Sequence, residues 1–225
     1  MKAKTKVLVM FALIAGMGFS SIKAQGVKIN AGLDLYSKYF WRGLSFGTGP
    51  QFQPAVSATT GGLTIGYWGS YDLNGAGYTE SDLYATYATS FGLTATLTDY
   101  STGTNYFNTE PDSLGKDHAL ELTAAYTIKG FTFTGAYVLN EANLPGTKGG
   151  DTYIELAYSF LETSSIAVGA GNGWYTLDEK FDLCNVMLKT VKSLKFSDTY
   201  SLPVTGIIML NPNTETISVG AGLTF

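Results

Sequence analysis

Cysteine, histidine and arginine are almost missing from this 225-residue chain, which holds one of each: Cys184, His118 and Arg42. A single cysteine cannot close an internal disulfide, so the fold must draw its stability from other sources. One histidine and one cysteine exclude a metal centre built from several such ligands, and no cofactor or metal is expected. Charge is also scarce, at 14% of residues. Beyond the N-terminus no stretch approaches about 18 consecutive apolar residues, so no membrane-spanning helix is expected. Helical periodicity is lacking as well.

The N-terminus has its own pattern. Lys2, Lys4 and Lys6 precede an apolar run from Val7 to Phe19, and "SSIKA" ends on the small residue Ala24. This reads as a secretory signal peptide over 1–24, with one domain over 25–225. No cysteine follows the expected cleavage point, which argues against a lipoprotein anchor. Setting aside the four lysines of the leader leaves ten basic against eighteen acidic residues, a net charge of −8. That balance disfavours nucleic acid as a partner.

Period-two alternation dominates what remains. Val27, Ile29, Ala31, Leu33, Leu35, Ser37, Tyr39 and Trp41 share one face; Lys28, Asn30, Asp34, Lys38, Phe40 and Arg42 share the other. The same alternation recurs through "LTIGYWGSYD", "ALELTAAYTI", "TYIELAYSFL" and the closing "TISVGAGLTF", giving about 12 strands. Short turns are expected at 59–62, 90–92, 129–130, 162–165 and 192–198. Longer loops are expected at 43–50, 74–79, 101–117, 141–150 and 172–181, with a short last one at 211–214. Tight turns at one end and looser loops at the other suit an all-β, transmembrane antiparallel up-and-down β-barrel with both termini periplasmic.

A secreted β-sandwich would also alternate. Against it, the polar face is rich in Thr, Ser and Gly rather than charge. Aromatics also gather at two levels, Tyr39, Trp41, Tyr71 and Trp174 at one, Phe91, Phe131, Phe160 and Phe225 at the other, as interfacial girdles do. A strand edge left open in hydrocarbon would cost several kcal/mol per unpaired group, so the sheet must close. About 12 strands leave a lumen between those of filled 8-strand barrels and open porins. No segment is long enough for a separate plug domain.

"SKYFWRGLS", then "PQFQPAV", then "GGLTIGYWGS" resembles the TorF-type porin family (the Gcw_chp outer-membrane proteins). The matching positions are Ser37, Tyr39, Arg42, Gly43 and Ser45; Pro50 and Gln53; Gly62, Gly66, Trp68 and Ser70. Glu80, Asp82, Glu121 and Glu155, with "SLPVTGIIMLNP" near the end, resemble further family features. The resemblance implies an outer-membrane barrel of porin type.

Phase places Arg42 on the inner face with Asp34 and Lys38, and strand direction places it at the outer mouth. Gln51, Gln53, Trp68, Asp72 and Asp82 join it as expected mouth or pore-lining residues, with Glu121 and Glu155 on later strands. Arg42 either pairs with Asp72 or Asp82 to pin the rim, or forms a charged constriction. Inner carboxylates outnumber inner cations, which suggests a mild cation preference. Tyr36, Tyr84 and Tyr153 share the inward phase, where sugars could stack. His118 reads as an interfacial histidine rather than a catalytic one, since no motif supplies its nucleophile. Cys184 reads as a small apolar filler.

The expected function is a porin or channel for passive diffusion of small polar or ionic solutes, in the outer membrane of a Gram-negative bacterium. The alternative is a closed structural or ligand-binding barrel without transport; an outer-membrane lipid enzyme is least favoured, and no enzymatic activity is expected. Expected partners are outer-membrane lipid, small solutes and the barrel-assembly machinery, the last through a final strand ending on Phe225.

Overall fold

The computed structural model describes residues 22–24, 26–75, 77–102, 117–143 and 146–225. Most of the expected leader lies outside the described residues, but Ile22–Ala24 forms a short strand antiparallel to Val27–Ile29. The rest is a closed barrel of twelve antiparallel strands. These are β1 (Val27–Tyr36), β2 (Gln51–Thr60), β3 (Leu63–Asp72), β4 (Thr79–Ala88), β5 (Leu93–Thr102) and β6 (Ala119–Ile128) in the first half. The second half is β7 (Phe131–Val138), β8 (Thr152–Leu161), β9 (Ser164–Gly171), β10 (Asp182–Lys195), β11 (Ser201–Asn211) and β12 (Thr216–Thr224).

Each strand pairs with its neighbours in sequence, and β12 returns to β1 through Gly222↔Tyr36, Leu223↔Leu35 and Thr224↔Asp34. The seam is extended by Phe225 N–H donating to Leu33 O at 2.8 Å and by Ser37 N–H donating to Ala221 O at 2.8 Å. Closure joins the first and last strands of the sheet over this short seam. The alternation decides which way each side chain points. Val56, Ile65, Leu83, Phe133, Leu156 and Val219 stand exposed on the outside. Their strand neighbours, such as Ser57, Thr64, Thr134 and Ala157, line the inside. Tight turns join the strands at one end, at 61–62, 129–130 and 162–163; the longer connections that follow Tyr36, Asp72, Thr102, Val138 and Gly171 leave from the other.

The first strand departs from expectation. It stops at Tyr36 instead of running to Arg42. The chain then turns into the barrel, where Tyr39–Trp41 pairs with Leu44–Phe46 as a separate two-stranded hairpin. Arg42 and Gly43 form its two-residue loop, with φ of 45° and 89°. Positive φ at both central positions is what a tight type I′ turn requires. Eight residues therefore do the filling that strand alternation assigns to no segment. Tyr39 and Trp41 pack in the interior, not against lipid, and so does Trp174, which meets the Trp41 ring at 5.5 Å. Apolar phase marks a shared face; here that face packs against the inside wall.

Candidate functional site

The tip of the inner hairpin docks on β10. A β-bulge there sets Asn185 opposite Gly169 but Leu183 opposite Ala170, leaving Cys184 as the extra residue. Cys184 is fully buried, in keeping with a filler. A Cβ on Gly43 would lie 1.8 Å from the Cys184 carbonyl oxygen, so only glycine permits both the turn and this approach. On the other side, Phe40 lies over Gly220 of β12, where a Cβ would come within 2.2 Å of the ring.

This docking carries Arg42 below the rim. Its Nη1 donates to Glu121 Oε2 at 2.6 Å and its Nη2 to Glu121 Oε1 at 3.0 Å, a two-pronged pair on β6. Nη1 also donates to the Tyr175 hydroxyl at 2.6 Å, and Tyr175 donates to Glu121 Oε2 at 3.1 Å. Tyr100 and Thr123 donate to Glu121 Oε1 as well. Glu121 is 0% exposed, so its charge is balanced by Arg42 and satisfied by donors on several sides. The guanidinium carbon lies 4.9 Å from the Trp41 ring centre and 4.8 Å from that of Tyr153. Burial alone would push the Arg42 guanidinium down, but Tyr175 and Glu121 raise it well above its ordinary range, so it stays charged. Burial raises the Tyr175 phenol above its usual range, which keeps it a donor. Lysine could not make the fork that spans both Glu121 oxygens.

The expected partners of Arg42 are therefore corrected: it pairs with Glu121 and with neither Asp72 nor Asp82. Asp72 Oδ2 accepts from the Thr48 and Gly49 backbone N–H groups and Oδ1 from that of Asn74, tying two loops together. Asp82 lies on the inner face of β4, two residues from Glu80. Expectation set Arg42 on a continuous strand at the mouth, level with those residues; the turn at Ser37 and Lys38 sends it across the lumen instead.

The remaining expected residues are spread along the wall. Gln53 donates to the Ser70 hydroxyl at 3.1 Å, and Ser70 donates to Gln51 at 3.0 Å. Trp68 packs on Tyr39 with ring centres 5.1 Å apart. Glu155 accepts from the Tyr153 hydroxyl at 2.6 Å and from Asn185 Nδ2 at 3.0 Å. Asp34 sits opposite Gln53 on β1, and Lys38 is exposed where the chain leaves that strand. His118 Nδ1 lies 2.9 Å from Asp99 Oδ1, giving the histidine a carboxylate partner.

Tyr39, Glu80, Trp174 and Tyr175 were not among the expected site residues. Glu80 shares the inward phase of Asp82 and was legible in principle. Tyr175 was not, because a three-residue 3₁₀ turn (Gly173–Tyr175) in a loop carries it inward. Toward the tight-turn end the interior changes character. Threonine hydroxyls pair across strands there, Thr59 with Thr64 at 2.9 Å and Thr86 with Thr96 at 2.8 Å. Compared with known proteins, the chain matches no family model and no curated protein.

Proposed function

We propose that this protein is an outer-membrane channel that passes small polar or ionic solutes through a lumen narrowed by its inner hairpin, with its long-loop end facing outward and both termini periplasmic. The observation that carries this reading is a closed barrel with an apolar exterior and an interior of hydroxyls and charged side chains. An exposed apolar band around a whole barrel is what a lipid bilayer covers. The hydroxyl-lined half offers hydrogen bonds but little fixed charge, a surface suited to hydrated solutes. The resemblance to TorF-type porins points the same way. No reaction is proposed for it.

The Arg42–Glu121 bolt favours a second reading, a barrel sealed at rest that binds a ligand at its long-loop end. Planar-bilayer recordings separate the two. The proposal expects discrete, salt-dependent conductance steps from the intact protein, and larger steps when residues 38–47 are replaced by a short Gly-Ser linker. Silence from the intact protein with conductance from the hairpin-replaced variant makes the hairpin a seal. Silence from both, with folded protein, overturns transport.

A further inference from the structure

A cavity of about 360 Å³ opens beside the inner hairpin at the long-loop end. Six aromatic side chains line it: Tyr39, Trp41, Phe46, Tyr78, Tyr100 and Trp174. Among the described residues Glu80 is the only charged one in its wall. The rings are set as walls rather than as one stack. Trp41 meets Trp174 at 80° and Tyr100 meets Trp174 at 83°, while Phe46 stacks on Tyr78 with centres 4.5 Å apart.

Glu80 is 3% exposed and is held by two phenols, Tyr39 donating to Oε1 at 3.2 Å and Tyr78 donating to Oε2. Asp82, 5% exposed, lies on the same face two residues on, and its Oδ1 has no hydrogen-bond partner. Among the described residues neither carboxylate has a basic partner. Arg42 is committed to Glu121. Glu80 and Asp82 are hydrogen-bonded to each other, so the two carboxyl groups share one proton and leave a single negative charge beside the aromatic ring faces with no counter-ion.

We propose that this cavity binds a small organic cation, an ammonium carrying alkyl groups. Ring faces attract a cation through their quadrupoles and also accept its apolar substituents, and a carboxylate at one wall supplies the counter-charge. The volume falls in the range of small-molecule sites. A strongly hydrated inorganic cation would have to shed its water against rings that cannot replace it. The aromatic shell already holds one cation in this manner, the Arg42 guanidinium over Trp41. The inference goes beyond the proposed transport, because binding is measured at equilibrium and holds whether the barrel conducts or is sealed.

The test is a titration of the refolded protein in detergent micelles with tetramethylammonium chloride. Ionic strength is held constant with sodium chloride and tryptophan fluorescence is followed, since Trp41 and Trp174 stand in the wall. A saturable change is expected with tetramethylammonium and none with sodium. Glu80→Gln and Tyr78→Leu should each weaken binding by about tenfold or more, from the charge and ring contributions they remove. Asp178→Asn, an equal charge change on an outer loop, should leave it unchanged. Heat-modifiable gel migration reports that each variant is folded, and Tyr78→Leu serves if Glu80→Gln does not fold. Absence of saturation, an equal response to sodium, or undiminished binding by both folded variants would overturn the proposal.

Discussion

The two halves of the barrel interior are built on different principles. Toward the long loops the lumen is crossed by a hairpin, a forked ion pair and a cluster of rings whose partners come from β3, β4, β6, β8 and the loop before β10. Toward the tight turns it is lined by threonine hydroxyls that mostly bond the strand next door. The first half depends on residues far apart in sequence: Arg42 and Glu121 are 79 positions apart, Arg42 and Tyr175 are 133. The second depends on neighbours such as Thr59 and Thr64, 5 apart. Interlocked buried groups are costly to break, whereas local hydroxyl pairs are nearly interchangeable.

This contrast can be broken most severely at the ion pair. Arg42→Ala leaves the fully buried Glu121 without its cation and should destabilise the barrel by about 3–5 kcal/mol in urea unfolding. Arg42→Lys should recover part of that loss, since the charge returns without the fork. Next comes the docking of the hairpin tip. Gly43→Ala places a side chain at positive φ and against the Cys184 carbonyl, for an expected cost of about 1–3 kcal/mol. It should also lift the hairpin, read as faster proteolysis near Arg42 and a red-shifted tryptophan emission.

Smaller effects belong to the other half. Thr86→Val or Thr96→Val removes one side of a hydroxyl pair and should cost about 0.5–1.5 kcal/mol. If either equals Arg42→Ala, the two halves are not built differently. The smallest effect is expected outside the barrel, where Lys148→Ala breaks an exposed pair with Glu179 and should leave the unfolding midpoint unchanged.

The same division explains what could be read from the sequence. The wall was legible: alternation placed the twelve strands, most of the turns, and Glu121 and Asp82 on the inner face, although the turn expected at 192–198 lies at 196–200 because the strand before it runs on to Lys195. The filling was not. In "LYSKYFWRG" the apolar phase runs without a break through Leu35, Ser37, Tyr39 and Trp41, so nothing in the period marks the place where the chain leaves the wall. Period two reports which side chains share a face; it says nothing of the surface that face meets. A local signal was present in "WRGL", where glycine follows a single polar residue between apolar flanks, a spacing that suits a two-residue turn. The pairing of Arg42 with Glu121 had no such signal, because it follows from the curvature that brings β6 across from the hairpin.

One contact of the hairpin bears on the order of assembly. Its seat includes β12: Ser218 donates to the Ser45 hydroxyl at 3.2 Å across 173 positions, Ala221 N–H donates to Ser37 Oγ at 3.1 Å, and Phe40 covers Gly220. β12 is also the strand that meets β1 along the short seam. A segment made early must therefore wait for the last strand before it has a complete place to rest. Sealing the wall and filling the centre become one late event, in which the chain's beginning tests whether its end has arrived.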